Sequence, residues 1–344
     1  MNKKSKLMIS VLLIMSIIAT LTLVSCGSKD NSSFEYWNEG SEALATLQEY
    51  VEDVTDDQSD NFIPVEDRIA VFDMDGTLYC ETAPIYLEDV IFMHRVLEDK
   101  TYKAPKEIVE YAKEIKKLSK EDKPFSLEGK FAEYNATVFK GMTTLDFECY
   151  VKDYISSTKA PGCGGLTYGE VFFQPMLEVV DYLNENDFTT YVCSGTDRST
   201  CRALLDEHVN IKANNTIGCD IAFFPDGYDG PVDASYEYTY PDKMVRSDKV
   251  ISPCWEGDKA NRIAVEIGKQ PVLVFGNSLG DSSMATYATD DNQYKSMAFM
   301  VKADDPSKVR TFVEEYEKRA KIWEKNKWTI ISMKKDFKSL FLEK

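Results

Sequence analysis

Three short apolar runs stand out along the chain: Ile69-Ala70-Val71-Phe72, Thr189-Thr190-Tyr191-Val192-Cys193 and Pro271-Val272-Leu273-Val274-Phe275. None alternates with polar residues, and each leads into glycine and small polar positions, the pattern of a parallel strand covered on both faces. Other segments repeat their apolar positions at helical spacing. Ala43, Leu44, Leu47, Tyr50, Val51 and Val54 open the series, and Met176 to Asn184 and Lys259 to Ile267 continue it. Strand-like runs alternating with amphipathic helices predict an α/β fold built on a doubly wound, Rossmann-like parallel sheet.

About 115 residues separate the first run from the second, far more than one crossover helix needs and too many for a structureless loop. Within them, Ile85 to Leu97 and Lys106 to Leu118 read as charged amphipathic helices, and Gly162 to Gly165 as a turn. Residues 80–174 are therefore expected to form a mainly helical cap inserted into a core made of residues 34–79 and 175–344. A smaller insertion at about 207–256, with Asp226-Gly227 and Asp229-Gly230 as turns, is expected to add a small β element.

The first 25 residues follow another pattern. Lys3, Lys4 and Lys6 precede an apolar stretch from Leu7 to Val24, and Leu23-Val24-Ser25-Cys26 follows. This reads as a secretory signal ending in a bacterial lipobox, with Cys26 lipidated and residues 26–33 as a polar tether. An uncleaved anchor helix is the alternative reading, since about 18 apolar residues just span a bilayer. The expected location is extracytoplasmic, with the lipid anchor holding the protein to the bacterial membrane.

Composition, 43% hydrophobic and 28% charged over 344 residues, is that of a globular protein. Forty Lys and Arg against 58 Asp and Glu give a net charge of −18, and loss of the three signal lysines makes it −21. A nucleic-acid partner is excluded on that balance, because phosphate-backbone binding needs a basic footprint. Seven cysteines remain beyond Cys26, an odd number without C-x-x-C spacing, so neither a zinc site nor a full disulfide set is predicted. His94 and His208 have no nucleophile pattern around them and read as structural.

Candidate chemistry gathers where the apolar runs end. The first runs into Asp73-Met74-Asp75-Gly76-Thr77-Leu78. Ligands of doubly wound sheets bind beyond the carboxyl ends of the strands. Two acids one residue apart can split roles there, one attacking or binding metal and the other moving protons. An EF-hand is excluded: Thr77 occupies the fifth position and no downstream Glu completes the loop. The second run ends in Ser194-Gly195-Thr196, a hydroxyl and backbone N–H groups suited to an anionic oxygen at a helix start. Lys259 opens the helix before the third run and can balance a carboxylate and a phosphate sharing one site. The third run ends in Gly276-Asn277-Ser278-Leu279-Gly280-Asp281, where Asn277 and Asp281 offer oxygen ligands for a hard cation such as Mg²⁺.

In this order the four segments resemble motifs I to IV of the haloacid dehalogenase-like (HAD) superfamily, and their surroundings resemble its phosphoserine phosphatase-like branch of secreted bacterial phosphatases. Trp37-Asn38, Gln174-Pro175-Met176-Leu177-Glu178 and Trp328 to Lys334 share that likeness, which spans about Phe34 to Phe341. The resemblance implies that Asp73 is a nucleophile forming an aspartyl-phosphate and Asp75 the general acid and base. It implies that Ser194, Gly195 and Lys259 hold the phosphoryl group. Asp73, the main-chain carbonyl of Asp75 and the motif IV residues Asn277 and Asp281 would bind Mg²⁺. The first motif IV position is often Asp in that superfamily. Asn277 there leaves open whether it, Asp281 or both ligate directly. An acid at position 75 disfavours carbon–halogen chemistry. The expected reaction is hydrolysis of a small phosphorylated metabolite, with transfer to another acceptor or catalytically silent ligand binding as alternatives. Tyr79, Glu81 and Tyr86 follow the first motif; as pocket residues, aromatic and acidic, they would suit a cationic leaving group, while ordinary packing is the other reading. Arg198 reads as a surface residue or a substrate contact.

Overall fold

The computed structural model describes residues 34–81, 85–121, 129–228, 230–231 and 238–342. The signal-like segment, the tether up to Ser33 and Cys26 lie outside them. Helix α1 (Glu42–Thr55) comes first; the Ser41 hydroxyl accepts from Leu44 N at its start, and its Ala43, Leu47, Tyr50, Val51 and Val54 face is buried. Strand β1 (Ile69–Phe72) follows, buried at every position as its unbroken apolar run predicts.

Four helices then precede the second strand: α2 (Leu87–Leu97), α3 (Lys106–Leu118), α4 (Phe131–Val138) and α5 (Thr144–Ser157). Helix α2 starts two residues later than its apolar spacing predicts: Tyr86 is its extended N-cap residue, and Asp89 Oδ2 accepts from Tyr86 N. Helix α6 (Gln174–Glu185) leads into β2 (Thr189–Asp197), and α7 (Arg198–Leu205) into β3 (Thr216–Pro225). Strand β4 (Met244–Ser252), α8 (Gly257–Ile267), β5 (Leu273–Gly276), α9 (Ser282–Thr289), β6 (Met297–Lys302), α10 (Val313–Lys325) and β7 (Thr329–Ser332) complete the chain.

The seven strands form one sheet in the order β4-β3-β2-β1-β5-β6-β7, parallel except for the antiparallel edge strand β4. From β1 the chain winds outward through β2 and β3, then returns to place β5 on the other flank of β1. The switch point of the sheet thus lies between β1 and β5, where a crevice opens beyond the strand ends. Phe72, Phe275 and Phe299 are register partners on β1, β5 and β6. Their rings stack in sequence, with centroids 4.4 and 5.2 Å apart. Each such pair adds about 0.5–1.5 kcal/mol beyond its buried area. They fix the floor on which the β1 and β5 loops stand.

The residues expected to add a small β element form β3 and β4, which extend the main sheet, β3 pairing with β2 and β4 with β3. Of the helices of residues 87–157, α4 and α5 dock against this edge. Helix α4 packs on β4 and α5 on α7, while Gly141 N donates to Arg246 O and Arg246 N to Met142 O. The segments near the chain ends also serve packing. The Trp37 indole donates to Pro175 O at 2.9 Å, and the Asn38 amide donates to Lys335 O and Phe337 O. No helix among the described residues is long and apolar enough to cross a membrane.

Candidate functional site

Strand β1 ends at Phe72, so Asp73 emerges at the switch point, held there by its N–H donating to Phe275 O of the neighbouring strand. Lys259, in the first turn of α8, reaches it from the other side. Its ammonium bonds Asp73 Oδ1 and Asp281 Oδ1, each at 2.6 Å. All three groups are buried, at 5% exposure or less. The second Asp281 oxygen accepts from Asn277 N, Ser278 N and the Ser278 hydroxyl at 2.9–3.0 Å. One carboxylate therefore folds the loop after β5 and anchors the lysine.

Two carboxylates share one ammonium, and the protonation states follow. Burial raises the Asp73 carboxyl well above its ordinary value, the Asp281 charge adds to this, and Lys259 opposes it. Burial alone would lower the Lys259 ammonium, but Asp281 and Asp73 outweigh it and hold the group firmly charged. Asp281 is likewise opposed by burial yet kept ionised by Lys259 and the loop N–H groups.

Asp75 faces the same cavity. Burial pushes its carboxyl up to about 7 against the pull of Thr196, whose hydroxyl donates to Oδ2 at 2.8 Å. That is the range in which one group both gives and takes a proton at neutral pH. Between the two acids and Leu78 the backbone turns at Gly76, where φ is +83°. A Cβ there would lie 1.8 Å from Asn277 Nδ2, so glycine is required twice over.

Asn277 is oriented by Glu81, which the sequence offers as a pocket residue, and by two groups that it does not point to. Its Nδ2 donates to Glu81 Oε2 and to the Tyr316 hydroxyl, both at 3.1 Å, and Arg319 donates to its carbonyl oxygen at 3.2 Å. The carboxylate partner requires the NH₂ on that side and leaves the amide oxygen for other ligands.

Strand β2 runs on to Asp197, but β1 has ended opposite Val192 and the ladder to β3 shifts register between Cys193 and Asp197. Ser194, Gly195 and Thr196 thus lie outside the regular ladder, at the crevice. The expected anion site at the helix start is corrected in part: the Ser199 and Thr200 N–H groups of α7 donate to Asp197 Oδ1. Asp197 is itself locked by the buried Arg246 at 2.6 Å. Gly195 carries Trp255 on its backbone, and a Cβ would stand 2.5 Å from that ring.

Asp73, Asp75, Ser194, Gly195, Lys259 and Asn277 line one cavity of about 290 Å³, while Asp281 stands behind it. Thr196, Tyr86, Glu88, Asp89, Phe131 and Trp255 also line it. Tyr79 does not; its hydroxyl donates to Tyr168 O inside the core. Arg198 pairs with Asp220 and Glu266 on the sheet edge. His94 bonds the Tyr150 hydroxyl, and His208 stacks on Phe172. Cys193 and Cys254 are buried with sulfurs 3.7 Å apart, and the cysteines of the described residues are free thiols.

Among the described residues, no group of three or more His, Cys, Asp and Glu side chains could hold a metal by itself. The oxygen donors at the phosphate end of the crevice are hard ones, the Asp73 and Asp75 carboxyls and the Asn277 side chain among them. Mg²⁺ suits such a set, since it takes one or two carboxylates and keeps several waters. The charges agree. Two carboxyls share one ammonium, so Asp73 is held towards its neutral form, and a bound cation would let it ionise.

No family model and no curated protein matches the sequence. Among solved structures the chain is similar to a conserved, functionally unknown protein from Anaerococcus prevotii, at 14% identity and a TM-score of 0.50, over 86% of this chain and 92% of that one. The match supports the fold. A protein of unknown function from Bordetella pertussis follows at 12% identity and a TM-score of 0.47, over 77% and 97% of the two chains. A cytosolic 5'-nucleotidase IIIB bound to cytidine stands at 13% and 0.43, over 82% and 92%. At these identities the likeness concerns the fold and not the activity.

Proposed function

We propose that the protein is an HAD-type phosphomonoester hydrolase that uses Mg²⁺ and acts on small esters. The observation that carries this reading is the pairing of Asp73 with Lys259 at 2.6 Å, one residue away from an Asp75 carboxyl pushed up to about 7.

The roles are those the resemblance implies for residues that the fold gathers at one cavity. An Asp73 oxygen attacks phosphorus and the bond to the leaving oxygen breaks, while Asp75 gives that oxygen its proton. Water then attacks the aspartyl-phosphate, Asp75 takes the water's proton, and inorganic phosphate leaves with Asp73 restored. Lys259 and Ser194 hold the phosphoryl oxygens, and Thr196 keeps the Asp75 carboxyl in place. Asp73, the Asp75 carbonyl and the Asn277 amide oxygen would hold Mg²⁺, with Asp281 engaged in positioning Lys259 and the loop. The chemistry the metal supplies when bound is neutralisation of the charge spread over the phosphoryl oxygens.

Helices α2–α5 act as a cap in this reading, since Glu88, Asp89 and Phe131 from them line the cavity. The N-terminal segment supports export and lipidation at Cys26, so radiolabelled palmitate should enter the native chain and not Cys26→Ala.

The test is hydrolysis of 4-nitrophenyl phosphate by the purified chain with Mg²⁺. Asp73→Asn should lose turnover by at least about a thousandfold, about 4 kcal/mol of barrier, and retain its unfolding transition. Undiminished turnover in that variant rules the mechanism out. Product analysis with added alcohols or sugars separates hydrolysis from transfer to another acceptor.

A further inference from the structure

Beyond the residues given roles above, the cavity is lined by three aromatic side chains, Tyr86, Phe131 and Trp255, and three acids, Glu88, Asp89 and Glu256. This wall is where the alcohol part of an ester bound at Asp73 must lie. We propose, resting on the phosphatase reading, that the cavity selects phosphate monoesters whose alcohol carries an organic cation, an ammonium or quaternary ammonium group, and no carboxylate.

Aromatic faces attract such cations through the ring quadrupole, most strongly where water is excluded. Trp255 is placed for this. Its Nε1 donates to Gly195 O at 3.3 Å, which holds the ring beside the phosphate-binding segment, and nearly half of the side chain remains open. Tyr86 is exposed to the same degree.

The acids at this wall lack a cationic partner among the described residues. Glu88 accepts from Asn135 Nδ2 at 2.8 Å and Asp197 N at 3.1 Å, both at Oε1. Asp89 accepts from Tyr86 N at Oδ2. Neither makes an ion pair among the described residues. Both keep some exposed area at the cavity wall yet lie deep among protein atoms, and burial raises Glu88 well above the carboxylate range and Asp89 to about 6. A ligand cation would restore their ionised forms.

The same wall rejects acidic alcohols. Lys259 is the one cationic side chain among the described lining residues, and its ammonium is committed to Asp73 and Asp281. Of the arginines near this part of the fold, Arg246 is spent on Asp197, Arg198 on Asp220 and Glu266, and Arg319 is turned to the Asn277 main-chain carbonyl and the Tyr316 ring. A carboxylate-bearing ester such as phosphoserine would meet three acids and no free counter-charge.

The experiment compares kcat/KM of the full chain for 2-(trimethylammonio)ethyl phosphate, its neutral isostere 3,3-dimethylbutyl phosphate, and O-phosphoserine, with Mg²⁺ at 0.15 M and 0.5 M salt. The cationic ester should be preferred over the isostere by about tenfold or more, and phosphoserine should fall below the isostere. The preference should persist at high salt, because a preference due only to the acidic surface is screened away. Trp255→Ala and Asp89→Asn should each shrink the cation-to-isostere ratio severalfold, and Trp255→Phe should keep most of it. A ratio near one, or one that vanishes at 0.5 M salt, overturns the proposal.

Turnover of 4-nitrophenyl phosphate, with Asp73→Asn as control, reads the phosphatase separately. If it is present without cation preference, the substrate class falls and the phosphatase stands. If no ester is turned over, calorimetric binding of the cationic ester and its isostere to the chain decides: tenfold tighter binding of the cation supports the selective wall, and equal affinity overturns it.

Discussion

Replacing Lys259 with Met puts the charge balance of the site to a quantitative test. The lysine is the ammonium shared by Asp73 and Asp281, and all three side chains are no more than 8% exposed. Removing one partner of a buried ion pair costs about 3–5 kcal/mol, because the remaining charge loses its compensation. The structure divides that cost unequally. Asp281 loses the ammonium at Oδ1 but keeps two N–H donors and the Ser278 hydroxyl at Oδ2. Asp73 Oδ1 loses its ammonium partner at a site already raised by burial and by Asp281. Most of the penalty therefore falls on Asp73. Its sign with pH is fixed: a carboxyl without its cation is relieved by protonation, so the loss is largest at high pH and shrinks as pH falls. Denaturant unfolding without divalent metal should show Lys259→Met less stable than the native chain by about 3–5 kcal/mol at pH 8, and by clearly less at pH 5. Adding Asp73→Asn should recover more of the loss than adding Asp281→Asn. An equal deficit at both pH values, or full rescue by Asp281→Asn alone, would refute the assignment of charges.

Two further outcomes test the supports of the site. In Gly76→Ala, the positive φ costs about 1–2 kcal/mol, and the new methyl, built 1.8 Å from Asn277 Nδ2, must push that amide off Glu81 and Tyr316. A Mg²⁺ titration of turnover should shift to at least about tenfold higher metal, a displacement of about 1.4 kcal/mol; an unchanged titration contradicts the placement of Asn277. For Asp89→Asn the sign follows from a folded-state pKa of about 6, raised from its ordinary value. A raised carboxyl stabilises the fold while protonated, and that contribution is lost as pH rises from about 4 through about 6. The variant should gain about 1–2 kcal/mol relative to the native chain between pH 4.5 and 7.5, after a discount for exposure at the cavity wall. Thermal unfolding at the two pH values measures it, and a relative loss would contradict the burial of Asp89.

The parts of the fold legible in the sequence are those in which one residue pattern meets one environment. Strand β1 is buried on both faces, so its four apolar residues mark its ends without ambiguity. Helix α3 begins and ends where its amphipathic spacing does. Strand β2 was legible only to Cys193, because its last residues Ser194 to Asp197 are polar and owe their conformation to the crevice. Strand β3, with Gly218 and Asp220 inside it, does not read as a central strand. Its place beside β2 is decided by tertiary pairing.

The site divides along the same line. Residues on the loops directly after strands β1 and β5, and on the first turn of α8, could be found by chain order, and the fold brings Asp73, Asp75, Lys259 and Asn277 to one crevice. The groups that tune them come from afar. Glu81 and the Tyr316 hydroxyl meet across 235 residues to aim the Asn277 amide, and Arg246 reaches Asp197 across 49. No local periodicity marks such a pair. The net charge of −18 is equally uninformative at this scale, since screening confines it to about 8 Å at physiological salt. Inside the crevice the field belongs to the nearest charges. One lysine shared by two aspartates leaves the phosphate end short of one cation and suited to Mg²⁺, and the aromatic and acidic wall beyond it extends the same demand for positive charge to the alcohol of the ester.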